Sequence, residues 1–79
     1  MLNLQEINQR VVKVYQKVAP VDYALNGKPT PLDSLGFMAF IIELEEEFSI
    51  SINTEEITKE RFATALSVAI YLEEVLNKK

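Results

Sequence analysis

The chain has 79 residues, 48% hydrophobic and 25% charged, with a formal net charge of −4, no Cys and no His. Such a composition describes one compact domain over residues 1–79 with a single small core, and it excludes a disulfide framework, a thiol redox pair, a zinc finger and any chemistry that needs a Cys nucleophile or a His base. The longest apolar run, residues 37–42, is far shorter than the roughly 20 residues of a membrane span, and no N-terminal stretch joins a basic region to an apolar block, so the expectation is a cytoplasmic protein without membrane insertion.

The first element reads as a helix over Leu4–Val18, because Leu4, Ile7, Val11, Val14 and Val18 recur at three- and four-residue spacing. Asn3 and Glu6 make a capping pair at its start, and Lys13 and Lys17 fall towards its C-terminal end, where cations are favoured. Pro20 stops the helix. Residues 19–31, with Gly27, Pro29 and Pro31, then read as a long connection, and a connection of that length in so small a domain is usually functional.

A second helix is expected over residues 34–48, with Phe40, Ile41, Leu44 and Phe48 turned inward. Ile50 and Ile52 alternate with Ser49 and Ser51, which predicts extended chain lying on the core. The sequence NTEE at 53–56 signals a short helix over residues 54–60. Thr64 is placed to cap a final helix, Ala65–Asn77, whose expected buried face is Leu66, Ala69, Ile70, Leu72 and Leu76. The sum is an all-α fold, a small bundle of three main helices plus one short helix.

Charge is unevenly spread along these elements. Residues 33–58 carry Asp33, Glu43, Glu45, Glu46, Glu47, Glu55 and Glu56 and no base, which disfavours nucleic acid and favours a partner with a basic patch. Taken singly, most of these glutamates read as a solvated helix face. Glu45, Glu46 and Glu47 point in three directions around a helix and so do not present a paired acid and base. Two glycines leave no phosphate-cradling loop, and Asp33 is not followed by oxygen ligands at alternate positions, so neither a calcium loop nor any other metal site is read here. No residue emerges as catalytic.

What remains is Ser34. Ser is a favoured N-cap, and its hydroxyl accepts a bond from an amide of the first turn. The same place suits a phosphodiester, since the amides and the dipole at a helix start stabilise an anion. A cap and an attachment point can therefore coincide.

The order of motifs carries a resemblance. LDSL at 32–35 follows the proline-containing connection, and the helix after it ends in LEEEF at 44–48. ISI at 50–52 and ITKERF at 57–62 then precede the last helix. This arrangement, over the whole chain, resembles the acyl carrier protein family. The resemblance implies that a phosphopantetheinyl transferase attaches the 4'-phosphopantetheine of coenzyme A to Ser34, with Asp33 helping to engage that transferase and Leu35 completing the attachment motif. It implies a non-catalytic carrier that holds acyl or aminoacyl groups as thioesters and visits loading, condensing and releasing enzymes, a shuttle that would most simply be a monomer. Gly36, Phe37, Met38, Ile42, Glu43, Glu46 and Glu47 are the residues it would offer to those partners, although Phe37, Met38 and Ile42 read equally well as further core. Part of the cargo would shelter among Phe40, Leu44, Phe48, Ile57, Phe62, Ile70 and Leu72.

The chain departs from the family at Gly36 and Ala39, where carriers of primary fatty acid synthesis have acidic residues. That departure points to partner recognition resting less on charge and to a discrete carrier in a specialised polyketide, nonribosomal peptide or related acyl-transfer pathway. The alternative from another class is an unmodified acidic helical adaptor that binds a basic partner and uses Ser34 only as a cap.

Overall fold

A computed structural model describes residues 3–18, 25–27 and 32–78. Among them are three α-helices, α1 (Leu4–Val18), α2 (Leu35–Phe48) and α3 (Ala65–Asn77), one 3-10 turn at Thr54–Glu56, and no strand. The small helical bundle expected from the sequence is therefore observed. Most of the predicted connection over residues 19–31 lies outside the described residues. Within it, Leu25 packs on the core, and Asn26 forms an isolated antiparallel bridge with Thr64. Gly27 donates its amide to the Ala63 carbonyl at 2.9 Å and has φ of 83°, a value that L side chains rarely adopt.

The helix α1 forms where its periodicity places it. The Glu6 amide donates to Asn3 Oδ1 at 2.8 Å at its start, and Ile7, Val11 and Val14 are buried. Leu4 and Val18 sit half-buried against the same core, and the Tyr15 ring meets Phe40 edge-on, with centroids 5.9 Å apart.

In α2, Ser34 is the N-cap and not the first helical residue, with extended φ and ψ and its hydroxyl accepting from Phe37 N. The buried stripe is Phe37, Phe40, Leu44 and Phe48, and Ile41 is only half-buried. Phe37 thus belongs to the core, 2% exposed, which corrects its placement on a docking face. The helix ends at Ser49, in the left-handed region at φ 54° and ψ 49°, and Ile50 N reaches back to the Glu45 carbonyl at 3.1 Å. That bond closes a Schellman motif with Ser where Gly is usual. Ile50 and Ile52 are buried, as their alternation predicts, and Ile52 N donates to Glu45 Oε2 at 2.7 Å.

The short helix expected over residues 54–60 is only the three-residue turn Thr54–Glu56, capped by Asn53 Oδ1. The final helix has the predicted bounds, and its capping box is complete. Ser67 N donates to Thr64 Oγ1, and Thr64 N donates to Ser67 Oγ, both at 3.0 Å. Its rotation about its axis differs from expectation. Val68, Ala69, Tyr71 and Leu72 are buried, whereas Leu66 is 52% and Ile70 44% exposed. Residues 65–72 are apolar at all but one position, so several faces fit the pattern, and each residue of offset turns the helix by about 100°. Leu76 packs half-buried on the core as expected.

The core joins all three helices, but not pairwise. α1 packs against both α2 and α3, while α2 and α3 are joined through the chain between them. Phe62, fully buried, is the bridge. Its ring meets Phe37 of α2 edge-on at 5.6 Å and Tyr71 of α3 at 5.7 Å.

Candidate functional site

Ser34 stands where the connection turns into α2. Its Oγ accepts from Phe37 N at 3.0 Å and its carbonyl from Met38 N at 3.1 Å, so the residue is held at the helix end by two bonds. The side chain is half-buried, and it is flanked by exposed Asp33 and by Leu35, 81% exposed. A leucine so exposed at the first helical position contributes little to the core and leaves an apolar group beside the serine hydroxyl.

Next to this residue opens an apolar cleft of about 390 Å³, lined by Leu32, Phe37, Met38, Ile41, Ile42, Thr54 and Ile57. Leu32 precedes Ser34 by two residues, and Phe37 is the residue whose amide bonds it, so the cleft lies close to the serine, which is itself outside the lining. Among the described residues, no charged side chain lines the cleft. Met38 and Ile42, 52% and 54% exposed, form its rim on α2, and Thr54 and Ile57 form the opposite wall.

The acidic residues of α2 have three different surroundings, Glu45 being the acceptor of the Ile52 amide. Glu43 pairs with Lys17 at 3.2 Å and Glu47 with Arg10 at 3.7 Å, so both lean towards α1 and are partly neutralised. Arg10 also lies over the Phe48 ring at 5.9 Å. Glu46 stays exposed. Of the residues offered to a partner, Met38, Ile42 and Glu46 thus lie on the outer face with Leu35. Gly36 is half-buried in the first turn, Phe37 is inside, and Glu43 and Glu47 are engaged by α1. The sequence signal for Phe37 was present, since 37, 40, 44 and 48 keep the three- and four-residue spacing of a buried stripe.

Across the cleft, the stretch from Asn53 to Phe62 carries a polar cluster that sequence reasoning missed. The Tyr71 hydroxyl donates to Glu56 Oε1 at 2.8 Å, and Arg61 Nη1 donates to the Glu56 carbonyl at 2.9 Å. The Arg61 guanidinium lies 5.4 Å over the Tyr71 ring, and Ser67 Oγ donates to the Arg61 carbonyl at 2.8 Å. Burial, reinforced by the bond to Glu56 and by that carboxylate's charge, pushes the Tyr71 hydroxyl up from its ordinary 10.0 to about 12. Nothing in local periodicity marks a pair 15 residues apart.

The group implied by the resemblance can be tested against these residues. A phosphodiester on Ser34 Oγ would sit at the start of α2, where the helix dipole favours an anion. An apolar chain attached there has the cleft beside it. The donor set fits: Ser34 for attachment, with Leu32, Met38, Ile41 and Ile57 for apolar contact. Among the described residues no cluster of His, Cys, Asp or Glu is placed to hold a metal ion, and no helix is long and apolar enough to cross a membrane. No family model, curated protein or solved structure matches the chain.

Proposed function

We propose that the chain is a carrier protein that holds acyl groups on a 4'-phosphopantetheine arm attached to Ser34 and shuttles them between partner enzymes in a specialised biosynthetic pathway of the cytoplasm. The observation that carries this reading is the placement of Ser34 at the N-cap of α2, beside an uncharged apolar cleft. In the attachment step, Ser34 Oγ attacks the β-phosphorus of coenzyme A within a phosphopantetheinyl transferase. The phosphoanhydride bond breaks, adenosine 3',5'-bisphosphate leaves, and the serine proton passes to a base of the transferase. When bound, the arm supplies a terminal thiol that carries the cargo as a thioester, which is how a chain without Cys serves such chemistry.

This chain's own residues position and shelter. α2 presents Ser34 at a rigid helix start, Asp33 beside it faces the transferase, and Leu35, Met38, Ile42 and Glu46 form the outer strip that meets loading, condensing and releasing enzymes. The described lining of the cleft favours an aliphatic acyl group over a polar aminoacyl group, because a buried ammonium would find no charged partner among those residues.

The cap geometry itself supports a second reading, an unmodified acidic adaptor, since the Ser34 hydroxyl already has a structural use. Intact mass after incubation with coenzyme A, magnesium and a promiscuous phosphopantetheinyl transferase separates the two. The carrier reading expects one phosphopantetheine increment on the wild type and none on Ser34→Ala, Ser34→Asn or Ser34→Asp, the last two of which keep a good cap. No increment on a folded wild-type chain with several transferases leaves the adaptor.

A further inference from the structure

The cleft beside Ser34 has two walls of unlike construction. One is α2, anchored in the core by Phe37, Phe40 and Leu44. The other, Thr54 and Ile57, belongs to a stretch held by one 3-10 turn, with Glu56 N donating to Asn53 O at 2.9 Å and Ile57 N to Thr54 O at 3.2 Å, and by a following turn in which Phe62 N donates to the Thr58 carbonyl and Arg61 N to Thr58 Oγ1, both at 3.2 Å. That stretch is pinned at one end by the Ile52 amide on Glu45 and at the other by Phe62 in the core. Between these pins, the side-chain ties to α3 found among the described residues converge on Glu56 and Arg61.

Tyr71 stands at the crossing point. Its ring backs Phe62, which backs Phe37 on the α2 side of the cleft, and its hydroxyl holds Glu56, two residues from Thr54 and next to Ile57 on the opposite side. The aromatic route from one wall to the other therefore closes through the Tyr71–Glu56 hydrogen bond, beside the Ile52–Glu45 bond and with Arg61 bracing the Glu56 carbonyl behind it.

We propose that Tyr71 and Arg61 are positioning residues which, by holding Glu56 at both its carboxylate and its carbonyl, fix the wall formed by Thr54 and Ile57 and set how much apolar chain the cleft admits. The identity of that chain as acyl cargo rests on the carrier reading, but the clamp itself does not. With Glu56 released, the 3-10 turn keeps its own short bonding, the half-buried packing of Ile57 and the Ile52–Glu45 bond, and the wall moves outward from Met38 and Ile42 about those remaining contacts. Capacity for apolar cargo is then a property of a residue pair remote from Ser34 in sequence.

The test uses the unmodified chain and two readouts, amide hydrogen exchange and titration with the neutral apolar dye N-phenyl-1-naphthylamine. Tyr71→Phe keeps the ring in the core and removes only the donor, and Glu56→Leu removes the acceptor. In both, exchange at the Glu56 and Ile57 amides is expected to rise by about ten-fold or more, with α1 and α2 unchanged and the dye bound more tightly. Glu56→Gln keeps an acceptor oxygen and is expected to behave as the wild type. Unchanged exchange at Glu56 and Ile57 in Tyr71→Phe overturns the proposal, as does acceleration spread evenly over all three helices. Faster exchange with unchanged dye affinity overturns it too, because the wall would move without widening the cleft. No arm requires modification of Ser34, so failure of the clamp leaves the carrier reading intact, and failure of phosphopantetheinylation leaves the exchange result standing.

Discussion

The two sides of the cleft are built on different physics. α2 is held by apolar burial along one stripe, a non-directional force spread over four side chains, and its caps only define where it starts and stops. The stretch between Ile52 and Phe62 contributes only the half-buried Ile57 to the core and is otherwise held by directional bonds from Glu45, Arg61 and Tyr71. A wall held by burial tolerates changes on its far face, whereas one held by few bonds yields when one is cut.

Breaking the apolar side has the largest expected effect. Phe40 is fully buried, and Phe40→Ala is expected to cost about 3–5 kcal/mol, measured by urea unfolding. Ile42→Ser, two residues along the same helix but on the outer rim, is expected to stay within about 0.5 kcal/mol in the same measurement. Equal losses at the two positions would erase the distinction between inner and outer faces.

The polar side is probed with alkali. Because the Tyr71 hydroxyl is raised from 10.0 to about 12 in the folded chain, its contribution to stability is fully present below pH 10 and is lost as pH rises from there towards 12. Unfolding free energy of the wild type against Tyr71→Phe across that window is expected to converge at the alkaline end. A difference that stays constant through pH 12 would show that the hydroxyl is not protected by burial and Glu56.

At the join between the two regions, Ser49 holds a left-handed conformation that suits glycine. Ser49→Gly is expected to raise stability by about 0.5–1 kcal/mol, well below the loss at Phe40, seen as a higher urea midpoint at unchanged slope. A destabilised variant would mean that the Ser side chain supports the Schellman turn by more than its backbone strain costs.

This contrast also explains what could be read from the sequence. α1 was legible to its ends because its apolar residues fall on one stripe and its other faces are polar, and the caps Asn3, Ser34 and Thr64 follow from local chemistry. Where apolar residues surround the helix, as in α3, the element was legible but its rotation was not, and Leu66 and Ile70 came out on the surface. In α2 the surplus apolar positions proved to be both core and rim, with Phe37 inside and Met38 and Ile42 outside. Ser34 was legible as a cap from its neighbours. The cleft beside it and the Tyr71–Glu56 bond were not, since both arise from residues brought together only by tertiary packing.

One feature of the architecture bears on how the molecule comes apart. Since α1 is the element on which both α2 and α3 rest, while the backbones of those two helices do not approach each other closely, removing α1 opens the shared core from one side. Loss of the first helix should therefore be felt at once in the last, and denaturation should pass through one cooperative step, with α1 acting as the keystone without which neither flank persists.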